Sequence, residues 1–383
     1  MVEAARLGEI REFIGGLYGP DLHAKRVDAL AGATLGAMTG ASLAVAMIGQ
    51  ALAQSRGLVT KHAVKQVDRL MSNAGIDVWG SFARWVPRQI GARPDILVAM
   101  DWTDFAHDGQ STLVLSLVTG HGRAAPLIWL TVWHEEIATR RNDCEDACLR
   151  RLAETLPAGC RVTILADRGF GDQKLFAFLG ELGFGYVIRF RGNIRVAGAD
   201  GETRPAAEWV GKGGRARKLR DARVTAQGQQ VGAVVCVQAK GMKEPWCLAA
   251  SDPEASAAVL VNHYARRWTI EPAFRDTKDL RFGMGLSATR IGEPMRRDRL
   301  LLVSAFAMAL LTLLGCIGES LGMDRLLKSN TAKTRSHSLF RQGCMLYELI
   351  PNMPAHRLAP LIAAFATAVS HASEFNGLFA QPE

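Results

Sequence analysis

The spacing of hydrophobic residues changes near residue 92. Before that point apolar residues recur at helical intervals, as in LAVAMIGQALA after Ser42 and KHAVKQVDRLMSN after Thr60. Serine and threonine are common helix N-caps, and Gly57 between the two segments is a typical helix stop. The pattern therefore predicts a helical domain over residues 1–92, in which Ser42 and Thr60 cap two short helices joined by QSRGLV.

From Arg93 onward the hydrophobic residues occur in short runs that are typical of strands. ILVAMDW, STLVLSLVTG and APLIWLTVW predict three successive strands, EDACLRRLAETL a helix, and RVTILAD a buried strand. DQKLFAFLGELG follows as a helix capped by Asp172, and GYVIRFRG as a further strand. Residues 192–245 interrupt this order with Gly-rich, basic, strand-like sequence, and the pattern resumes at WCLAASDPE. Strands alternating with helices predict an α/β fold with a mixed sheet.

One uncharged run, LLLVSAFAMALLTLLGCIG over residues 300–318, is long enough to cross a lipid bilayer as a helix. Large proteins also bury helices that are apolar on every side. We interpret the run as a buried core helix and keep a membrane protein as an alternative that detergent-dependent solubility would reveal.

Composition narrows the class of protein. The chain has 383 residues, enough for two or three domains, with 48% hydrophobic and 22% charged residues, which is typical of globular proteins. Its net charge of +9 favours a polyanionic partner, either nucleic acid or an anionic membrane surface. The seven cysteines form no C-x-x-C pair, and MVEAARLGEIREF lacks the pattern of a secretion signal. We therefore expect reduced thiols, no zinc site and a cytoplasmic protein.

The segment YARRWTIEPAFRDTK, residues 264–278, concentrates polar groups on one side of a helix. At about 100° per residue, Arg267, Glu271 and Lys278 lie at about 300°, 340° and 320° from Tyr264. This stripe suits an anionic ligand held around a single carboxylate. Pro272 disfavours helical geometry at Glu271, so either the helix kinks there or a new helix begins.

Two further carboxylates stand at predicted strand ends, Asp101 in LVAMDW and Asp167 in ILADRGF. Ligand sites of α/β sheets form at the carboxyl ends of strands, so both could face one crevice with Glu271. An aspartate at a strand end is also a common turn or cap residue. Three carboxylates without a positioned His or Cys suit a pair of Mg²⁺ ions, for which Mn²⁺ can substitute, and such a pair catalyses phosphoryl transfer on nucleic acid.

The spacing of these residues carries a resemblance. Tyr264, Arg267, Glu271 and Lys278 match the tyrosine-(2)-arginine-(3)-glutamate-(6)-lysine signature of bacterial insertion-sequence DDE transposases, the cut-and-paste, hairpin-forming family that includes the Tn-five and Tn-ten enzymes. LHAKRVDAL, TKHAVKQVDRLMSN, MDWTD, EPWCLAASDP and IEPAFRDTKDLRFGMGL resemble stretches of the Tn-ten type in the same order. The resemblance spans residues 20 to about 345.

The resemblance implies a ribonuclease H-like catalytic core over residues 93–191 and 246–325, with the triad Asp101, Asp167 and Glu271 binding Mg²⁺. It implies a β-rich insertion at 192–245, an N-terminal DNA-binding domain at 1–92, and a helical C-terminal region at 326–383 used to assemble a homodimer on paired transposon ends.

Other residues are candidate DNA contacts. Tyr264, Arg267 and Lys278 would hold phosphates or bases. By the same resemblance Trp246 takes the place of a tryptophan that stacks on a flipped base, although it could be an ordinary core residue at the start of a strand. Trp268, near the same stripe, is a second candidate for base stacking.

Two basic surfaces lie outside this segment. The second N-terminal helix has Lys61, Lys65 and Arg69 on one face, which suits either DNA or solvent. The insertion carries a basic strip that is either a phosphate-binding surface or a solvated loop; its members are Lys212, Arg215, Arg217, Lys218, Arg220 and Arg223.

The function expected from these features is DNA transposition, with double-stranded terminal inverted repeats and target DNA as partners and no membrane. Strand cleavage, hairpin formation and strand transfer would excise and insert an insertion sequence. The alternatives are a ribonuclease H-like nuclease without strand transfer and a catalytically silent, transposase-derived DNA-binding protein.

Overall fold

A computed structural model describes residues 2–225 and 227–370. Residues 2–90 form a helical layer that packs against the rest of the described chain. Its helices are α1 Val2–Tyr18, α2 Ala24–Gly40, α3 Val45–Arg56, α4 Thr60–Met71 and α5 Val78–Ile90.

The ends of α3 and α4 test the predicted helix caps. Gly57 stops α3 in the left-handed conformation, with φ of 63°, as predicted. The predicted caps Ser42 and Thr60 are wrong. Helix α3 starts after Ala44, whose N–H donates to the Ser42 hydroxyl at 3.2 Å, and Thr60 is already the first residue of α4. Neither helix start has a side-chain cap, so tertiary packing sets both starts.

The strands of the chain form two sheets. In order they are β1 Asp95–Phe105, β2 Gln110–Val118, β3 Ala124–Trp133, β4 Arg161–Ala166, β5 Gly185–Phe190, β6 Arg195–Ala197, β7 Thr203–Pro205, β8 Arg217–Arg220, β9 Arg223–Val224, β10 Gln229–Gln230, β11 Ala233–Val237 and β12 Trp246–Ala250. The large sheet has the order β3-β2-β1-β4-β5-β12-β11-β8 and the small sheet the order β10-β9-β6-β7.

The large sheet is mixed. Strands β1, β2 and β3 pair antiparallel, whereas β4 is parallel to β1 and β5 is parallel to β4. Strand β12 then pairs antiparallel with β5. This arrangement is the predicted ribonuclease H-like core with helical N-terminal and C-terminal regions, interrupted between β5 and β12 by the predicted β-rich insertion. The part of the predicted C-terminal region at 371–383 lies outside the described residues. The insertion contributes to both sheets, because its strands β8 and β11 extend the large one.

Helices cover both faces of the large sheet. They are α6 Ile137–Thr155, α7 Gln173–Glu181, α8 Ala257–Arg266, α9 Ile270–Lys278, α10 Pro294–Ser320, α11 Leu339–Leu349 and α12 Ala355–Ser370. Along β1, Ile96, Val98 and Met100 belong to the core that includes side chains of α6, α7 and α10. Leu97 and Ala99 belong to the core that includes side chains of α8 and α9. Successive side chains of β1 point to opposite faces of the sheet, and α9, which carries Glu271, packs on the face of Leu97 and Ala99.

Helix α10 is the apolar run identified in the sequence. Among the described residues it is the one helix that is by itself long and apolar enough to cross a membrane, and 83% of its most apolar window is buried inside the protein. Helices α2 and α3 meet the same test only as a pair, which is bent by 96°. Helix α10 packs on α2, α11, α12 and β3, and therefore connects the N-terminal helices, the sheet and the C-terminal region.

Candidate active site

Three carboxylates line one open cleft of about 650 Å³ beside the central strands β1 and β4 of the large sheet. Asp167 directly follows β4, as predicted, but Asp101 does not stand at a strand end: β1 continues past it to Phe105 because the residues after Asp101 still pair with β2. Because β1 and β4 are parallel neighbours with Met100 opposite Ala166, the two aspartates stand side by side one residue further on. Glu271 lies in the first turn of α9 and completes the set. The cleft is where the sequence predicted a crevice for these three residues.

The segment from Tyr264 to Lys278 is not one helix. Helix α8 ends at Arg266, a single 3-10 turn spans Arg267–Thr269, and α9 begins at Ile270. A continuous stripe is therefore wrong, and the alternative that a new helix begins near Pro272 is correct. Proline is tolerated there because the first N–H groups of a helix have no partner within it.

Arg267 leaves the 3-10 turn and points between two of the carboxylates. Its side chain is only 10% exposed. One guanidinium nitrogen donates to Oδ2 of Asp101 at 3.0 Å, and the other lies 3.9 Å from Oε1 of Glu271. An arginine this deeply buried beside two carboxylates neutralises charge that would otherwise repel.

The electrostatics of Asp101 reflect this crowding. Burial is the largest of several influences that together raise the pKa of Asp101 to about 6: Arg267 lowers this pKa, and the negative charges of Asp167 and Glu271 raise it. The other two carboxylates are therefore close enough to disfavour its ionised form.

A metal site is chemically compatible with these residues. Within residues 2–225 and 227–370, no three His, Cys, Asp or Glu side chains are grouped as metal ligands. The side chains of Asp101, Asp167 and Glu271 nevertheless offer only carboxylate oxygens, the ligands that Mg²⁺ and Mn²⁺ accept, and their mutual repulsion favours a shared cation. The cation that Asp101 now contacts is Arg267.

Lys278 lies at the rim of the same cleft. Its ammonium donates to the Thr103 hydroxyl at 3.0 Å and to the Asp104 carbonyl at 2.7 Å, and it lies 4.7 Å from the centre of the Phe105 ring. Burial lowers the pKa of Lys278. The lysine thus fastens the end of α9 to the end of β1.

The aromatic candidates occupy two different settings. Tyr264 is buried, and its ring meets the half-buried ring of Trp246 edge to face at 4.8 Å. Burial raises the pKa of Tyr264. Trp246 opens β12, as the alternative interpretation of that residue expected. Trp268, in the 3-10 turn beside Arg267, is 64% exposed and free to stack on a base.

The sequence did not single out several residues that support the cleft. The indole N–H of Trp102 donates to Glu145 at 2.9 Å, and Glu145 is buried against Arg141. On the other side, buried Arg297 of α10 donates to Gln110 at 2.7 Å and pairs with Asp108 beyond β1. Apart from the Arg141–Glu145 pair within α6, these contacts join elements distant in sequence, so no local pattern could reveal them.

The predicted basic surfaces lie outside the cleft. Lys61, Lys65 and Arg69 are exposed on α4, opposite the buried residues of that helix. In the insertion Arg215 and Arg217 are exposed, and Arg217 lies over the Trp209 ring at 4.9 Å. Lys218, another member of the basic strip, points into the protein.

Lys218 has a structural contact of its own. Its ammonium donates to the carbonyls of Pro253 and Ala255, at 2.5 and 2.6 Å. These carbonyls belong to the loop before α8. Lys218 therefore holds β8 to the segment that leads into the cleft, and its charge is turned away from solvent.

Comparison with known protein families bears on this site. Residues 131–307 match the family model described as the transposase DDE domain. This match supports a DDE transposase. The family implies an enzyme that cleaves nucleic acid with divalent metal ions and binds DNA. The region of the match to the transposase domain includes Asp167, Arg267 and Glu271 and begins after Asp101. No curated protein matches the chain in sequence.

Proposed function

We propose that the chain is a DNA transposase that excises and inserts an insertion sequence by strand cleavage, hairpin formation and strand transfer at terminal inverted repeats. The observation that carries the proposal is the convergence of Asp101, Asp167 and Glu271 in one cleft of a ribonuclease H-like sheet. The family match supports the class of enzyme.

The three carboxylates are the residues that would hold Mg²⁺. When bound, the ions would activate the attacking oxygen and stabilise the charge on the leaving oxygen of a phosphodiester. Arg267 would exchange its contact with Asp101 for a phosphate group, two of whose oxygens a guanidinium can bind with parallel hydrogen bonds. Lys278 would contribute a point charge at the rim of the cleft.

One set of residues can serve every step of this reaction. Water is the nucleophile for the first nick and for opening the hairpin, and the freed 3′-OH is the nucleophile for hairpin formation and for attack on target DNA. Each attack forms one P–O bond and releases one oxygen as a hydroxyl. The carboxylates and Arg267 therefore face the same pentacoordinate phosphorus geometry each time.

The proposal is tested with purified protein, Mg²⁺, the DNA flanking the coding sequence and a supercoiled target plasmid. We expect nicked ends, hairpin ends and end fragments joined to the plasmid, separated on denaturing gels. Cleavage without joined product would instead identify a nuclease. Binding without cleavage by the intact protein would identify a silent DNA-binding protein.

Trp246 provides a separate test of the hairpin step. If its ring holds an extruded base, Trp246→Ala should slow hairpin formation about tenfold or more, since base stacking contributes about 1–3 kcal/mol. The first nick requires no extruded base and should proceed at the wild-type rate. The two products are measured in one time course on an end fragment.

The matched control for Trp246 is Trp209, which is fully buried in the insertion. Trp209→Ala leaves a cavity and should lower the melting temperature, with nicking and hairpin formation falling together, because loss of a core tryptophan costs about 3–5 kcal/mol. If Trp246→Ala behaves in the same way, Trp246 is a core residue and takes no part in base flipping.

The insertion makes a prediction about salt. We propose that Arg215 and Arg217 contact phosphates, so reversing both to Glu should weaken binding to duplexes of any sequence. The slope of log affinity against log salt concentration is negative, and it should become shallower by about 0.9 for each lost contact. Fluorescence anisotropy over a salt series measures it.

Lys218→Met is the comparison for this experiment, because Lys218 is already engaged by carbonyls. It should lower the melting temperature and leave the salt slope unchanged. An unchanged slope in the Arg215→Glu, Arg217→Glu variant would show that the strip is a solvated loop.

A further inference from the structure

Two large apolar side chains project from the turn that follows α9. Leu280 is 74% exposed and Phe282 is 61% exposed, and both belong to the turn of residues 279–285, here named the rim turn. Large apolar side chains in water lack the favourable free energy of burial, which they would gain if a partner covered them. The rim turn begins at Asp279, which lines the carboxylate cleft.

Hydrogen bonds fix the conformation of the rim turn. Oδ1 of Asp279 accepts the N–H groups of Arg281 at 2.8 Å and Phe282 at 2.6 Å. The Gly285 N–H donates to the Asp279 carbonyl at 2.9 Å. A Cβ at Gly283 would lie 2.4 Å from the Asp276 carbonyl oxygen, so only glycine fits that position.

The far end of the turn is anchored in the core. Met284 is fully buried, its N–H donates to the Asp276 carbonyl at 2.9 Å, and its own carbonyl accepts the Leu43 N–H at 2.8 Å. Leu286 beyond it is also buried. Because the turn is fixed at both ends, its backbone conformation holds the side chains of Leu280 and Phe282 in the solvent.

The surroundings of the rim turn select the kind of partner. Arg275 and Lys278 line the adjoining cleft, and the Arg281 guanidinium lies 5.7 Å from the centre of the Phe282 ring. The partner must therefore offer anionic groups next to flat apolar surface. Duplex DNA meets both requirements, because it has phosphates outside and base faces inside, and the net charge of +9 favours such a polyanion.

We propose that Leu280 and Phe282 form a wedge that inserts between base pairs of the duplex held at the carboxylate cleft, and so opens and kinks one base step. Apolar wedges of Leu and Phe kink duplexes in this way by unstacking one base step. This inference rests on the proposed function for the presence of DNA at the cleft. It adds a base-step contact that is separate from Trp246 and from the phosphate contacts of Arg267 and Lys278.

The test is a binding experiment without divalent metal, so that it does not depend on cleavage. Two short duplexes of the same sequence are compared by anisotropy, one fully paired and one with a single central mismatch, whose unstacking costs less. We expect the wild-type protein to bind the mismatched duplex about tenfold more tightly. The Leu280→Ser, Phe282→Ser variant should bind both duplexes equally.

A second readout reports on the base step itself. With the fluorescent adenine analogue aminopurine next to the mismatch, the wild-type protein should raise the fluorescence, because unstacking removes quenching by neighbouring bases. The Leu280→Ser, Phe282→Ser variant should bind without that increase. Leu326→Ser is the matched control, since Leu326 is also an exposed leucine but lies outside the rim turn, in a 3-10 turn after α10; it should behave as wild type.

Several outcomes would overturn the wedge. The first is equal binding of both duplexes by the wild-type protein, and the second is an unchanged mismatch preference in the Leu280→Ser, Phe282→Ser variant. The third is a DNA-free dimer of the wild-type protein that sedimentation no longer detects in this variant, which would assign the rim turn to contact with a second copy. Failure of the proposed function gives a different result: the wild-type protein would prefer the mismatched duplex but would neither cleave nor join DNA.

The Leu280→Ser, Phe282→Ser variant should have the melting temperature of the wild-type protein, because both side chains are exposed.

Discussion

Asp101→Asn, Asp167→Asn and Glu271→Gln are each expected to reduce strand cleavage by at least about a thousandfold, because each amide removes a negative charge that holds Mg²⁺ and with it several kcal/mol of transition-state stabilisation. The amides have nearly the same shape as the acids, so the fold and the binding of DNA ends should be retained. Gel-shift and nicking assays on one end fragment measure binding and cleavage separately.

Asp104 is the matched control within the same cleft. Its Oδ1 accepts a hydrogen bond from the Ser111 hydroxyl at 2.6 Å and lies 3.7 Å from Nδ1 of His134, so one oxygen of its carboxylate already has partners outside the triad. Asp104→Asn should nick at a rate close to wild type. Cleavage that persists in any one of the triad variants removes that residue from the proposed set.

The two aspartates of this site could be placed from the sequence alone. Each follows a buried apolar run, and parallel neighbouring strands bring the residues after those runs side by side, although β1 continues to Phe105 and Asp101 is therefore not at its end. That argument needs only the period of a strand and the rule for where ligands bind α/β sheets. The helix cap at Asp172 was equally local, and its side chain accepts the Lys174 N–H as predicted.

Glu271 and Arg267 could not be placed in the same way. A helical stripe implies that all its polar groups face one direction, but the chain makes a 3-10 turn at Arg267 before α9 begins. That turn aims the guanidinium at Asp101, 166 residues away in sequence. The contact depends on how α9 packs against the sheet, which the periodicity of the segment does not encode.

The insertion shows the same limit. Its composition predicted strands, but which sheet each strand joins depends on pairing partners far along the chain. Strand β8 joins the large sheet through β11, whereas β9 joins the small one through β6. This pairing turns Lys218 toward the carbonyls before α8. A basic residue in a basic strip can thus be structural, and only the fold distinguishes it from its neighbours.

Arg267→Gln is expected to raise the affinity of the DNA-free protein for Mn²⁺ by about tenfold or more, or about 1.4 kcal/mol. In the structure the guanidinium contacts Asp101 at 3.0 Å and approaches Glu271 at 3.9 Å, so a metal ion must compete with a cation that is already beside two of its ligands. Glutamine keeps much of the side-chain volume and removes the charge.

The measurement is the electron paramagnetic resonance signal of free Mn²⁺, titrated at about pH 8 so that carboxylates with raised pKa values remain largely ionised. Arg267 lowers the pKa of Asp101 against the effect of burial, so its removal raises that pKa above about 6 and shifts the carboxyl toward its neutral form. At lower pH this would mask the gain in affinity.

DNA provides the decisive comparison. If phosphate draws Arg267 away from Asp101, a duplex should strengthen Mn²⁺ binding to the wild-type protein, and by linkage Mn²⁺ should strengthen duplex binding by the same factor. In Arg267→Gln both effects should shrink, because no guanidinium remains to be displaced, while duplex affinity in the absence of metal falls. Weaker Mn²⁺ binding by the DNA-free variant would contradict this account, because removal of a competing cation cannot weaken the binding of the metal ion with which it competes. That result would mean that Arg267 holds the carboxylates in place for the metal.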